Sequence, residues 1–317
     1  MFFLSIGAYI SGAVVAHSIA ALTGYGQDLF TAQAANARLV YAAANPGPIL
    51  GLFVAALALA AAVGAAFGVL ASYPALRLRG DFLAIVLIAV GEVGRVFVRT
   101  YEPIAGGNIG TGGIPNPFVF LGDRTGRVAF SLVTLGLVLG VFLFVERISN
   151  TPLGRLLKSV RDDELVANVL GKRAPLVKAQ VLAVGSGIAG IAGVLWAFWY
   201  QTVAADDFIP QTTFLVVAMV LLGGAANHRG ALVGAIVMTL LDHVTRPSFY
   251  SILGLDVRLP FDVNYLRYIL IGVLIILILR FRSEGILPER PVRTPALAVA
   301  SAGRSHTEPR SEDPNRS

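Results

Sequence analysis

The sequence predicts an all-α fold, a polytopic bundle of transmembrane helices, on three observations. Hydrophobic residues make up 56% of the 317-residue chain and charged ones 14%, against roughly a quarter charged in soluble domains. Uncharged runs of spanning length recur along it, and about 20 apolar residues carry one helix across a bilayer. These runs are too long and too continuously apolar for the alternating strands of a barrel, and only helices or closed barrels satisfy every backbone group in lipid.

Eight spans are expected, near 2–22, 49–72, 81–98, 128–145, 179–200, 212–223, 230–245 and 264–281. The first opens "MFFLSIGAY", with no basic leader before its apolar run, so a cleaved signal peptide is not expected. The third is apolar except for Glu92 and Arg95, and the fifth lies in a 27-residue stretch, 179–205, without one charge. The sixth is short, and is expected to be tilted or re-entrant. From Ser283 the chain turns rich in Pro, Ser and charge, the composition of a disordered tail. The domain organisation expected is a membrane domain over 1–282 and a disordered cytoplasmic tail over 283–317.

Lys and Arg set the sidedness. The segments 73–80, 146–178, 223–229 and 280–282 hold twelve of them, and the segments 23–48, 99–127, 201–211 and 246–263 hold six. The richer set belongs inside, which puts both termini in the cytoplasm. The net charge of +6 then reads as orientation and contact with anionic lipid headgroups. No basic, aromatic-studded soluble module suits nucleic acid. The absence of cysteine excludes disulfides, thiol catalysis and cysteine-based metal sites.

Several patterns that suggest chemistry fail on context. "VLAVGSGIAG" (181–190) has the spacing of a dinucleotide turn, but "IAGVLWAFWY" after it is apolar on every side, where a Rossmann helix needs a wet face. Ser186 with Gly190 and Ala189 with Gly193 read instead as small-x-x-x-small pairs for close helix packing. "GKRAP" at Gly171 lacks both the upstream glycine and the hydroxyl residue of a phosphate loop. His17, His228, His243 and His306 are too scattered for a metal site, and no nucleophile, base and orienting acid stand together. The chain is read as no enzyme and as needing no cofactor; any ATP hydrolysis comes from another chain.

Three sets of polar residues remain. Glu92, Arg95 and Arg99 share one face of the third span, where an isolated charge at midplane costs roughly 2.5–3.5 kcal/mol or more. They either line a translocation path or touch a partner, or form an internal salt bridge that fixes packing. If Glu92 and Arg95 are a buried pair, Glu92→Gln strands the arginine at roughly 3–5 kcal/mol, and adding Arg95→Gln restores folded yield. Thr111, Gly112 and Gly113 lie in the glycine- and proline-rich loop 99–127. The two glycine amides there either help admit a zwitterion, since glycine allows close backbone approach, or belong to a flexible connector. Asp206 and Asp207 are expected to be solvated, with docking of a partner as the alternative.

The third set is an island of eleven charges within Glu146–Lys178. Thr151 is placed to cap a short helix with Pro152 at its first position, running through Gly154–Val160 to a break at Arg161-Asp162. Asp163 and Glu164 suit the N-terminus of a second short helix, which Gly171 is placed to end. Leu165, Val166, Val169 and Leu170 fall on one narrow apolar stripe of it. So short a helix needs a groove for its stripe: the inner ends of this chain's own helices, or a partner.

Six stretches in register resemble the LivM type of branched-chain amino acid ABC transporter permease. They are "FLSIGAY" (3–9), "LRLRGDFLAIVLIAVGEVGR" (76–95), "TGG" (111–113), "TPLGRLLKSVRDDELVANVLG" (151–171), "VLLGGAANHRGALVGA" (220–235) and "FRSEGILPER" (281–290). The resemblance implies an inner-membrane importer subunit that works with a second, homologous permease, two cytoplasmic ATPases and an extracytoplasmic binding protein. It implies a branched-chain amino acid as cargo, with urea, short amides and other small acids as alternatives. It also makes the island the coupling segment, with Leu165, Val166, Val169 and Leu170 lodged in an ATPase cleft and Arg155, Lys158 and Arg161 at its rim. The rival classes are a self-contained secondary transporter or channel, which needs no docking island, and a membrane anchor, which leaves Glu92, Arg95 and Arg99 without a purpose.

The sequence departs from the family in three places. "TGGIPNPF" lacks the usual Asn-Gly after the glycine pair, and Gly230-Ala231 stands for the common Gly-Pro. Family members also carry further spans before "FLSIGAY". An in-frame extension upstream of Met1 that encodes at least one more span is the expected result of reading the genomic DNA; a stop codon there with no alternative start is the contrary one.

Overall fold

The computed structural model describes residues 1–24, 29–75, 81–224 and 227–244, and beyond them only 269, 272–273, 276–277, 280–281 and 285–287. Most of the eighth span, the 246–263 loop and most of the tail lie outside the described residues. The chain divides into two units, 1–216 and 217–317.

In the first unit the apolar runs become α1 (Phe2–Thr23), α3 (Pro46–Ala75), α4 (Asp81–Thr100), α6 (Asp123–Ser149) and α9 (Ala174–Tyr200). Each outlasts its apolar run at one end or both. Gly24, left-handed at φ 75°, stops α1 and donates its N–H to the Ala20 carbonyl at 2.9 Å, as a C-terminal cap does. Asp123 and Arg127 pair across the first turn of α6. Among the described residues α1, α3, α6 and α9 are long and apolar enough to cross a membrane. The twenty residues of α4 carry Asp81, Glu92, Arg95 and Arg99, so it has the length of a span but a charged face.

One helix was not expected: α2 (Ala32–Ala44) occupies the segment read as a loop. Thr31 caps it, its hydroxyl accepting from the Ala34 N–H at 3.3 Å, and alanine, the best helix former, fills most of its turns. A short α5 (Glu102–Ala105) follows α4, and the charged island folds into α7 (Pro152–Asp162) and α8 (Glu164–Val169).

The core of this unit is the packing of α1, α3 and α9. Phe53 on α3 stands between Phe130 of α6 and Phe198 of α9, with ring centroids at 5.9 and 5.0 Å and tilts of 66° and 79°, the edge-to-face arrangement aromatic rings favour. At one end of the helices a two-stranded antiparallel ribbon forms from β1 (Thr111–Gly112) and β2 (Thr202–Val203), with Thr111 opposite Val203. A single 3₁₀ turn, 205–208, follows β2.

α10 (Pro210–Gly223) runs from the first unit into the second, where it meets α11 (His228–Val244) at a bend of 119°. The expected sixth and seventh spans fall on these two helices, which together are long and apolar enough for one broken span or a re-entrant loop. Gly223, Gly230 and Gly234 let the two helices touch, since a side chain at any of them would run into the facing backbone. Of the tail only 285–287 is described, and there the N–H groups of Ile286 and Leu287 donate to the carbonyls of Leu222 and Gly223, each at 3.0 Å.

Candidate functional site

Three connections meet at the ribbon end of the first unit. Arg38 of α2 is 3% exposed and donates to the carbonyls of Leu29 and Gly112, both at 2.6 Å. Burial lowers its pKa from the ordinary arginine value, and the two carbonyls replace the water it gives up. Gly113 adopts φ 70° and lies on α2, where a Cβ would come within 2.6 Å of the Ala35 backbone. Thr111 is 1% exposed and packs on Gly12 of α1. The loop 99–127 is therefore no flexible connector at 111–113. The glycine pair is explained by the ribbon and by α2, so amides poised for a ligand are not needed to account for it.

The charges of α4 have more partners than their spacing suggested. Glu92 and Arg95 form a two-pronged pair, with Arg95 Nε at 3.0 and 3.2 Å from the two carboxylate oxygens. Arg95 Nη1 also donates to Asp206 at 3.0 Å, Arg99 lies 3.5 Å from the same carboxylate, and Arg99 Nε donates to Asn108 at 3.0 Å. Asp207 accepts from the Ala204 N–H at 2.9 Å and closes the 205–208 turn. Asp206 is 63% exposed, as expected of a solvated side chain, and is also engaged with α4, while Asp207 bonds its own backbone. Arg95 is 17% exposed and Glu92 38%, so this is a partly exposed cluster rather than an isolated buried pair. Glu92→Gln leaves Arg95 with Asp206, and Asp206→Asn leaves it with Glu92. Each single change is expected to destabilise by no more than about 1 kcal/mol, as for other partly exposed pairs. The double change strands the arginine and is expected to exceed the sum of the two. Thermal melting of the purified proteins checks this; strictly additive losses would mean that Arg95 does not depend on the two carboxylates jointly.

The small residues of α9 lie at its crossings. Gly193 faces the backbone of Leu4 and Ala8, and a Cβ on Gly190 would stand 2.5 Å from the Ala60 carbonyl. Ser186 is 3% exposed, its hydroxyl donating to the Leu182 carbonyl at 2.5 Å, beside Gly64 and Gly68 of α3. Ala189 is only half-buried. The dinucleotide-like sequence 181–190 is the middle of this one continuous helix.

In the island, α7 runs two residues past its expected end at Val160, through the expected break to Asp162. Thr151 precedes it, but its hydroxyl donates back to the Ile148 carbonyl at 2.6 Å and caps nothing; Gly154, pressed on the Ser149 backbone, lets α7 turn sharply away from α6. Asp163 caps α8, accepting from the N–H groups of Leu165 and Val166 at 2.8 and 3.0 Å. At its far end the Gly171 N–H meets the Asn168 carbonyl and the Lys172 N–H the Ala167 carbonyl, both at 3.0 Å, with Gly171 at φ 76°; these are the two bonds of a Schellman cap. Glu164 bonds Lys178 of α9 at 2.7 Å. Ala167 is buried against Val160, Ala174 and Val177. The stripe faces the other way: Leu165, Val166, Val169 and Leu170 are 67, 51, 80 and 72% exposed. Arg155 and Arg161 are exposed around it and Lys158 is half-buried.

Sequence reasoning passed over Arg38, Tyr9, Trp196, Phe208 and Asn168. Arg38 alone had a local signal, as the one charged residue between Asp28 and Arg77. Asn168 links α8 to α9, its side-chain oxygen accepting from the Ala174 N–H at 3.2 Å.

Comparison with known proteins follows the same segments. The family described as branched-chain amino acid transport system / permease component matches residues 3–279. The chain is 32% identical over 300 residues to the probable branched-chain amino acid transport permease protein LivM of Methanocaldococcus jannaschii, covering 92% of this chain and 85% of that one. The high-affinity branched-chain amino acid transport system permease proteins LivM of Salmonella typhimurium and Escherichia coli are 30% and 29% identical over 259 residues. Those matches cover 74% of this chain and 57% of each relative, so the chain spans a little over half of their length. No solved structure is significantly similar.

Proposed function

Since the chain belongs to the branched-chain amino acid transport system / permease component family, we propose that it is the membrane-spanning subunit of an ABC importer for branched-chain amino acids. It is a multi-pass membrane protein and not itself an enzyme. In this reading both termini face the cytoplasm, a second homologous permease completes the pathway, one of two ATPases grips the α7–α8 platform, and an extracytoplasmic binding protein delivers the cargo at the ribbon end. ATP-driven closure of the ATPases then switches the path between outward and inward access. One observation carries most of the weight: four large apolar side chains, three on α8 and Leu170 just after it, stand in the open on a platform capped, bridged and packed from beneath. A helix end built so firmly, with its apolar residues turned away from its own protein, is built to be gripped.

Reconstitution in liposomes with the ATPases and binding protein encoded beside it tests the proposal. Uptake of radiolabelled leucine is expected to require ATP, both ATPases and the binding protein, and to be competed by isoleucine and valine. Competition by urea or short amides instead would change the cargo. Uptake driven by a proton gradient without the ATPases would overturn the importer reading in favour of a secondary transporter.

A further inference from the structure

We propose that the seam where α1 and α9 meet the 205–208 turn is the contact site for the transported solute, an α-amino acid with an apolar side chain. The inference rests on the importer reading and adds the residues that touch the cargo. Tyr9 on α1 is 6% exposed, yet its hydroxyl has no hydrogen-bond partner among the described residues, and the same is true of Trp196 Nε1 on α9. Both rings pack on Phe208, with centroids at 5.6 and 6.4 Å. The glycine contact that joins the two helices lies beside them, since Gly193 faces Ala8, the residue before Tyr9, and Trp196 follows three residues on.

Buried polar groups are nearly always paired, and a phenylalanine at either place would pack without the penalty of an orphaned donor. Two such donors on one aromatic wall therefore point to a ligand that accepts. Asp206, in the same short turn as Phe208, accepts from Arg95 at 3.0 Å, so charges of both signs border the same seam. A zwitterion with an apolar tail fits each part. Its carboxylate accepts from Tyr9 and Trp196, its ammonium meets the open side of Asp206, which is 63% exposed beside Arg95, and its side chain lies on Phe208. Urea or a short amide would leave the aromatic wall and the charges unused.

Tyr9→Phe removes the hydroxyl and nothing that the fold bonds to, so it is the first variant to make in the assembled importer. Expression and ATPase co-purification are expected to match the wild type. Maximal leucine uptake at saturating binding protein is expected to fall roughly tenfold or more, the worth of one hydrogen bond to a charged group. Phe208→Ala is expected to lower leucine uptake relative to alanine uptake, a ratio that a purely structural role would leave unchanged. Should Tyr9→Phe equal the wild type in maximal rate, the seam does not touch the cargo and the inference falls, while the importer reading stands on the wild type's own uptake. A wild type that takes up no leucine under ATP overturns the importer reading itself, and the inference with it.

Discussion

Val166→Asp and Val169→Asp are each expected to insert at the wild-type level but to lose ATPase co-purification and amino acid uptake. The argument starts from what these side chains do not touch. They are 51 and 80% exposed, so removing them takes almost nothing from this chain's own packing. The helix that carries them is six residues long, far too short to persist in water by itself. It is held by Asp163 at its start, the Gly171 turn at its end, the Glu164–Lys178 bridge and buried Ala167, none of which either substitution removes. Any loss must then arise at a surface outside the chain. An aspartate in the middle of an apolar contact has to shed its water without gaining a partner, a penalty of several kcal/mol, which is a hundredfold or more in affinity. Arg161→Ala should be much milder, because it is 51% exposed and already paired with Asp162, and rim charges tune rate and salt sensitivity more than affinity. Normal ATPase binding and uptake in both aspartate variants, at normal expression, would show that the platform docks elsewhere or nothing docks on it.

Gly193→Val is expected to abolish the folded membrane domain, while Gly185→Val in the same helix leaves it intact. A Cβ at Gly193 would collide with the Leu4 carbonyl and the Ala8 amide of α1. These are backbone atoms, so no rotamer change relieves the overlap and α1 has to move away from α9. That separation undoes the close approach by which small residues hold helices together in lipid, and it should exceed the roughly 1–3 kcal/mol of ordinary core overpacking. Gly185 has nothing within 4 Å of where its Cβ would sit, and valine there meets only the helix's modest dislike of a β-branched side chain. The yield of monodisperse protein after detergent extraction, with its melting temperature, measures both. Equal yields from the two variants would mean that the α1–α9 crossing is not what holds the bundle.

Much of the architecture was readable from local pattern alone. Hydropathy located the long helices because a spanning run must satisfy its own backbone and offer apolar side chains on every side, and both demands are visible residue by residue. The island was equally local. Asp163 before an apolar stripe and Gly171 after it specify a short capped helix by chemistry acting over three or four residues. Thr151 was misjudged for the same reason, since its hydroxyl was expected to accept from the first N–H groups of α7 and instead turns back to donate to the Ile148 carbonyl. What only the tertiary structure decided lies between distant residues. Asp206 reaches Arg95 across 111 positions and Arg38 reaches Gly112 across 74, and nothing in either neighbourhood announces the match. The glycines of α9 announced close packing, but which of them would be crossed depended on the angle at which α1 and α3 arrive. The orphaned donors of Tyr9 and Trp196 were the least legible of all. An aromatic residue in an apolar run looks the same whether its polar atom is paired or not, and only the folded chain shows that the partner is missing.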